Sequence, residues 1–218
     1  MEPLRLRLGD LPEDEIARLA AFTLRKGGIA LLPAEGVYGF HASSASSGAL
    51  ARILALKGKS DRAGFIGLIA YPEDAARWAQ IDTVAEALAR DHWPGALTLV
   101  LDALPGAPHL LRSADGTIAL RCPGSPLLRA VVLAFERGAS EGVALSLVLS
   151  TSANRPGEPP AVRVESAPAG IADLAVDGGS RSGVPSTIVR VDSSGVRVLR
   201  QGAISLGDHG LDAPGTSP

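Results

Sequence analysis

The sequence predicts an α/β (α+β) fold: one domain over residues 1–206, built on a mixed sheet flanked by helices, with residues 207–218 as a flexible tail. Three observations predict it. Amphipathic helical stretches and short buried strands are interspersed along the chain rather than segregated. The length of 218 residues suits one compact core, and an apolar fraction of 46% supplies its interior. With 25 Gly and 16 Pro, the chain also stays below the roughly 25–30% that marks disorder, while providing many tight connections.

The elements follow in order. Asp10 and Glu13 read as a helix start, with Ile16, Leu19, Ala20 and Leu24 on one face and Gly27-Gly28 as the stop. Ile29 to Leu32 reads as a buried strand stopped by Pro33. Ser47 to Leu56 is a second amphipathic helix, with Lys57 and Lys59 just past its end. A strand over Phe65 to Ala70 precedes two acid-started helical stretches, near Glu73 to Ala79 and Asp82 to Asp91. His92 to Gly95 is a turn, Leu97 to Leu101 a strand, and Thr117 to Arg121 a strand ended by Cys122-Pro123. Pro126 to Arg137 is helical. Ala144 to Leu149 is a strand running into Ser150-Thr151-Ser152-Ala153-Asn154, a composition typical of a turn. A short run near Leu174 and two β segments, Ser186 to Val191 and Val196 to Leu199, complete the domain.

Composition excludes several function classes. No apolar run approaches the ~20 residues of a membrane span. Cys122 is the only cysteine, so neither an internal disulfide nor a thiolate metal cluster can form, and a reducing, cytoplasmic setting is expected. His41, His92, His109 and His209 lack ligand spacing, so no protein-bound metal is expected, and His41 reads as a solvated loop residue. Gly58-Lys59-Ser60 resembles the end of a phosphate-binding loop, but Ile53 stands where its first glycine belongs.

Residue usage is skewed. There are 18 Arg against three Lys (Lys26, Lys57 and Lys59), and Asn154 is the only Asn. Lys26 suits the end of its helix; Lys57, Lys59 and Asn154 point to function. Five segments place cations, hydroxyls or an amide at the ends of apolar strands, where open α/β sheets collect ligands: 33–39, 57–62, 117–123, 150–154 and 185–202. They contain no evident nucleophile–base pair. That mixture suits a polyanion with a leaving group to be neutralised, such as a nucleoside triphosphate, better than covalent acyl-enzyme chemistry.

Taken in order, these segments resemble the YrdC/TsaC family of threonylcarbamoyl-adenylate synthases over about residues 12 to 204. Pro33 to Phe40 is similar to its P-T-E-T-V-Y-G-L, and Lys57-Gly58-Lys59 to its K-G-R. Trp93 to Thr98 matches W-P-G-x-x-T, Arg121-Cys122-Pro123 matches R-x-P, and Ser152-Ala153-Asn154 is S-A-N. Asp177-Gly178-Gly179, Pro185-Ser186-Thr187 and Leu199 to Gly202 give D-G-G, P-S-T and L-R-x-G.

The resemblance implies a twisted mixed sheet enclosing a large basic cavity. It also implies a reaction in which threonine, bicarbonate and ATP, with Mg²⁺ held mainly by phosphates and water, give threonylcarbamoyl-AMP and pyrophosphate for modification of tRNA adenosine-37. By that likeness Lys57, Thr117, Asn154, Val162 and Arg200 line the ATP site. Ala34, Arg121, Ser152 and Ser186 line the amino-acid site, and Lys57, Lys59 and Arg200 offset charge on the triphosphate. The chain departs from the family pattern at Ala34 and Gly36, where threonines stand, and at Lys59, where arginine is usual. Three readings stay open: a threonylcarbamoyl-AMP synthase, a paralogue acting on another small carboxylate, and a non-catalytic module binding tRNA or double-stranded RNA.

Overall fold

The computed structural model describes residues 2–58, 64–138 and 146–206. Ten strands form one mixed sheet: β1 (Leu4–Arg7), β2 (Ala30–Pro33), β3 (Tyr38–Ser43), β4 (Ile66–Leu68), β5 (Leu97–Asp102), β6 (Thr117–Arg121), β7 (Val148–Ser152), β8 (Leu174–Asp177), β9 (Thr187–Asp192) and β10 (Gly195–Arg200). Their order is β1-β8-β2-β3-β7-β4-β6-β5-β9-β10. Four helices pack on it: α1 (Glu13–Arg25), α2 (Ser47–Lys57), α3 (Thr83–His92) and α4 (Pro126–Arg137).

Strand alternation sorts the side chains into two cores. On one face Ala30, Leu32, Leu68, Val148, Leu174 and Val176 lie under α1 and α4, which contribute Ile16, Leu24, Leu127, Val131 and Phe135. On the other, Leu31, Phe40, Leu99, Ile118, Leu120, Leu149 and Val189 pack with Leu50 and Ile53 of α2 and Leu88 of α3. The helices start as their composition dictates. Ser46, Asp82 and Ser125 cap α2, α3 and α4 by accepting from the backbone N–H three residues on, while α2 ends on Gly58 in the left-handed conformation.

The first core stops partway across the sheet. Among the described residues it takes no side chain from β5, β6, β9 or β10. Among the described residues, those of these strands that point to the α1/α4 side, Arg121, Thr98 and Arg200 among them, are not covered by that apolar core. That uncovered half-face is where the polar groups collect.

Several expectations need correction. Residues 150–152 are not a turn but the end of β7, paired with Gly39 to His41 of β3. Tyr38–Ser43 and Leu4–Arg7 are strands that the sequence pattern does not disclose. The stretch 73–79 is a 3-10 turn over Pro72–Arg77, and α1 has no side-chain cap from Asp10. The strand expected over 65–70 shortens to Ile66–Leu68. The tail expected from residue 207 onward lies outside the described residues. No described helix is long and apolar enough to cross a membrane.

Candidate active site

Three groups of side chains meet on the uncovered half-face. The first joins α2 to β7. Lys57 ends α2, on the opposite face of the sheet, and its Nζ reaches around the end of β7. There it donates to Ser152 O at 2.8 Å and to Asn154 Oδ1 at 2.7 Å. Ser152 Oγ donates to the same Asn154 oxygen at 2.6 Å, and Asn154 Nδ2 to Glu158 O at 2.7 Å. One amide thus fixes an ammonium and a hydroxyl together.

The second group surrounds Arg121 at the end of β6. Its guanidinium contacts Glu35 Oε2 at 2.5 Å, and its Nε donates to Gly95 O at 2.9 Å. Side-chain exposures of 11% and 25% make this pair well shielded from solvent. The other carboxylate oxygen of Glu35 accepts from the backbone N–H of Gly124 and of Ser125, at the entry to α4. The turn of residues 93–96 therefore supplies the acceptor that orients Arg121, while the loop after β2 supplies its counter-charge.

The third group belongs to β9 and β10. Arg200 donates from Nε and Nη2 to Ser186 O at 3.1 and 2.8 Å, and from Nη2 to Ser186 Oγ at 3.1 Å. Ser186 Oγ also shares a hydrogen bond with Thr98 Oγ1 at 3.1 Å. Gly202 makes this approach possible: a Cβ there would lie 2.3 Å from Pro185 O. Burial, and then the neighbouring Arg121 charge, hold the Arg200 guanidinium below its ordinary pKa.

Two adjoining hollows of about 110 Å³ each join these groups. Both are lined by Ala34, Val37, Arg121, Pro185 and Ser186. One extends to Ser150, Ser152 and Arg200, the other to Glu35, Gly36 and Ala203. Each has room for about four waters, the scale of a small amino acid.

The fold thus brings Lys57, Asn154, Ser152, Arg121, Ser186, Arg200 and Ala34 together. Thr117 shares the face of β6 with Arg121 but stands at its other end, ~13 Å along the strand, donating to Asp115 Oδ1 at 2.8 Å. Val162 lines neither hollow; its carbonyl accepts from Arg181 N at 2.8 Å, beneath the loop of residues 178–185. Lys59 and Arg62 lie outside the described residues. No group of three His, Cys, Asp or Glu that could hold a metal occurs among the described residues. Glu35, which lines one of the hollows, is committed to Arg121 and two backbone amides.

Several groups at the site are not disclosed by the sequence. Glu35 and Thr98 sit within motifs without a role assigned to them. His41 is not a solvated loop residue: it is fully buried in β3, with Nε2 3.2 Å from Ser150 Oγ, so the fold does create a hydroxyl–imidazole pair. Only the pairing of β3 with β7 discloses it. Burial lowers the His41 pKa to about 4, whereas the unfolded chain takes up that proton near 6.5. Between those values the unfolded state binds more protons, so acidification favours unfolding by up to about 3 kcal/mol. The thermal midpoint is expected to fall as pH drops from 6.5 towards 4. His41→Phe should flatten that segment of the curve. Burial likewise pushes the Cys122 thiol up to about 11, which leaves it an inert core residue.

Comparison with known proteins places this geometry. The profile of the Sua5/YciO/YrdC family, described as telomere recombination, matches residues 23–202. The threonylcarbamoyl-AMP synthase of Coxiella burnetii is 34% identical over 144 residues, 63% of this chain and 69% of that protein. That of Alkalilimnicola ehrlichii is 30% identical over 186 residues, 82% of this chain and 93% of its own length. The crystal structure of P. abyssi Sua5 complexed with L-threonine superposes with a TM-score of 0.79 at 28% identity, covering 93% of this chain. This chain spans 58% of that longer protein. With the profile covering the sheet from β2 to β10 and all three polar groups, the chain belongs to the Sua5/YciO/YrdC family.

Proposed function

We propose that this protein condenses L-threonine, bicarbonate and ATP into threonylcarbamoyl-AMP and pyrophosphate, supplying the activated group for a tRNA modification. The observation that carries the reading is convergence. Arg121, Arg200, Ser186 and Ser152 arrive from separate strands and loops to frame one pair of hollows, and Ser152 ties the Lys57–Asn154 pair to their edge. The relatives named above carry that activity in their names, and one is a threonine complex.

In this reading the amino acid occupies the hollows, with its carboxylate against Arg121 or Arg200. Its amine adds to bicarbonate with loss of water, and a carbamate oxygen then attacks the α-phosphate of ATP, expelling pyrophosphate. The protein's contribution is position and fixed positive charge, with no covalent intermediate. Lys57, held by Asn154 and Ser152, faces the triphosphate. Mg²⁺ comes with ATP as part of the substrate, held mainly by phosphates and water. Pyrophosphate exchange into ATP, measured with and without threonine and bicarbonate, tests the reading. Exchange that needs both supports it, and exchange indifferent to threonine sinks it.

A second reading, in which another small carboxylate is the substrate, is favoured by one observation: Ala34 gives the wall shared by both hollows a methyl group and no hydroxyl. Ala34→Thr should restore one hydrogen bond to a threonine ligand and lower its KM by roughly three- to tenfold. An unchanged KM would detach residue 34 from the amino-acid subsite.

A further inference from the structure

The His41–Ser150 pair has no part in the chemistry above, yet it lies directly beneath it. His41 is fully buried on β3, in register with Ala30 of β2 on one side and with Ser150 of β7 on the other. Its Nε2 is 3.2 Å from Ser150 Oγ, and Ser150 lines the hollow that also contains Ser152, Arg121, Ser186 and Arg200. Gly39 leaves the ring edge close beneath the floor; a Cβ there would stand 3.0 Å from His41 Cε1.

The direction of this hydrogen bond is set by the imidazole tautomer. Nδ1, the ring's other nitrogen, is buried and has no hydrogen-bond partner among the described residues. With the proton on Nδ1, Nε2 is an acceptor and Ser150 donates to it.

Ser150 Oγ then faces the hollow with lone pairs only. The other polar groups there are donors or already engaged. Arg121 and Arg200 carry only N–H, Ser152 Oγ donates to Asn154 and accepts from Lys57 Nζ at 3.4 Å, and Ser186 Oγ accepts from Arg200 and shares a proton with Thr98. An amino acid or its carbamate brings an N–H as well as negative oxygens, and that N–H needs an acceptor.

Building on the amino-acid reading of the hollows, we propose that His41 is a positioning residue: it takes the Ser150 hydroxyl proton and so fixes Ser150 Oγ as the acceptor for the substrate nitrogen. His41 itself never touches substrate. Its effect falls on recognition of the amino acid and not on the nucleotide.

Two experiments test this. Nitrogen-15 NMR of histidine-labelled wild-type protein near neutral pH reads the tautomer without any reaction. A protonated Nδ1 and a bare Nε2 are expected for His41, and the reverse overturns the proposal. In pyrophosphate exchange, His41→Phe and Ser150→Ala are each expected to raise the KM for the amino acid about tenfold, the worth of one hydrogen bond, with the KM for ATP unchanged. Because one acts through the other, the double variant should be no worse than either single one. Additive losses, or equal losses for both substrates, assign His41 to packing and overturn it. If the wild type shows no exchange with any amino acid, the reaction reading falls and so does the substrate part of this proposal. The NMR result still decides the polarity of the pair.

Discussion

Lys57→Ala is expected to lower ATP–pyrophosphate exchange by roughly 10²–10³-fold, the typical loss when one fixed donor to a charged transition state is removed. The structure explains why this lysine should matter more than a surface charge. It is the last residue of α2, a helix packed on the far face of the sheet, so its position is set by the core beneath Leu50 and Ile53. From there its ammonium is clamped at the end of β7 by Ser152 O and Asn154 Oδ1. A cation held in advance needs no reorganisation as pyrophosphate departs, whereas a free lysine would give up side-chain entropy at that step.

The same clamp limits the damage to the fold. Alanine suits the end of a helix, and Gly58 still closes α2 in the left-handed conformation. The acceptors left behind are only part-buried, so water can replace the ammonium. A stability loss of about 1 kcal/mol is expected, read as a small drop in thermal midpoint. Undiminished exchange would remove Lys57 from the nucleotide site. A collapse of the midpoint would make the activity loss a folding effect.

The difference between the three polar groups shows what a sequence can and cannot disclose here. Lys57 and Asn154 stand out in a chain with few lysines and a single asparagine, and their contact at 2.7 Å joins two rarities. Arg121 and Arg200 are legible as strand-end cations, because buried strands of period two make their ends easy to find. Glu35 is not legible as a partner of Arg121, since 86 residues separate them and no local rule pairs a loop carboxylate with a strand arginine. His41 was hidden more completely. The run from Tyr38 to Ser43 mixes two aromatics with Gly, His, Ala and Ser, and its polar positions are buried, so it lacks the continuous apolar run of a buried strand. Ser150 and Ser152 suffered the same fate, because hydroxyl residues that favour turns were recruited into a sheet whose neighbours supply their hydrogen bonds. In each case tertiary pairing overrode local preference, and each case lies at the hollows, where function and not packing sets residue type.

Gly36 gives the other large effect. Gly36→Thr is expected to lower kcat/KM for the amino acid by about 10²-fold, the scale associated with a displacement of about 1 Å at a reacting centre. In the sequence, this position reads as a lost hydroxyl. In the structure it is a packing requirement: a Cβ on residue 36 would stand 1.7 Å from Val184 O and 2.8 Å from Val184 C. The contact is backbone, so no rotamer change can relieve it. Gly36 O also accepts from Gly183 N at 2.8 Å, tying the loop after β2 to the loop before β9. A side chain at 36 must push those loops apart, and both carry site residues: Ala34 and Glu35 on one, Ser186 on the other. Moving Ser186 loosens its bonds with Arg200, and moving Glu35 loosens its hold on Arg121. The two arginines would then lose orientation together, although neither was altered. Gly36→Ala should behave nearly as badly, because the clash begins at Cβ. That distinguishes packing from chemistry: a lost threonine hydroxyl would be restored by Thr and not by Ala. Steady-state kinetics on both variants, with thermal midpoints to confirm folding, decide the matter. A Thr variant more active than wild type would mean that the loops separate freely and that Gly36 marks a substrate contact given up.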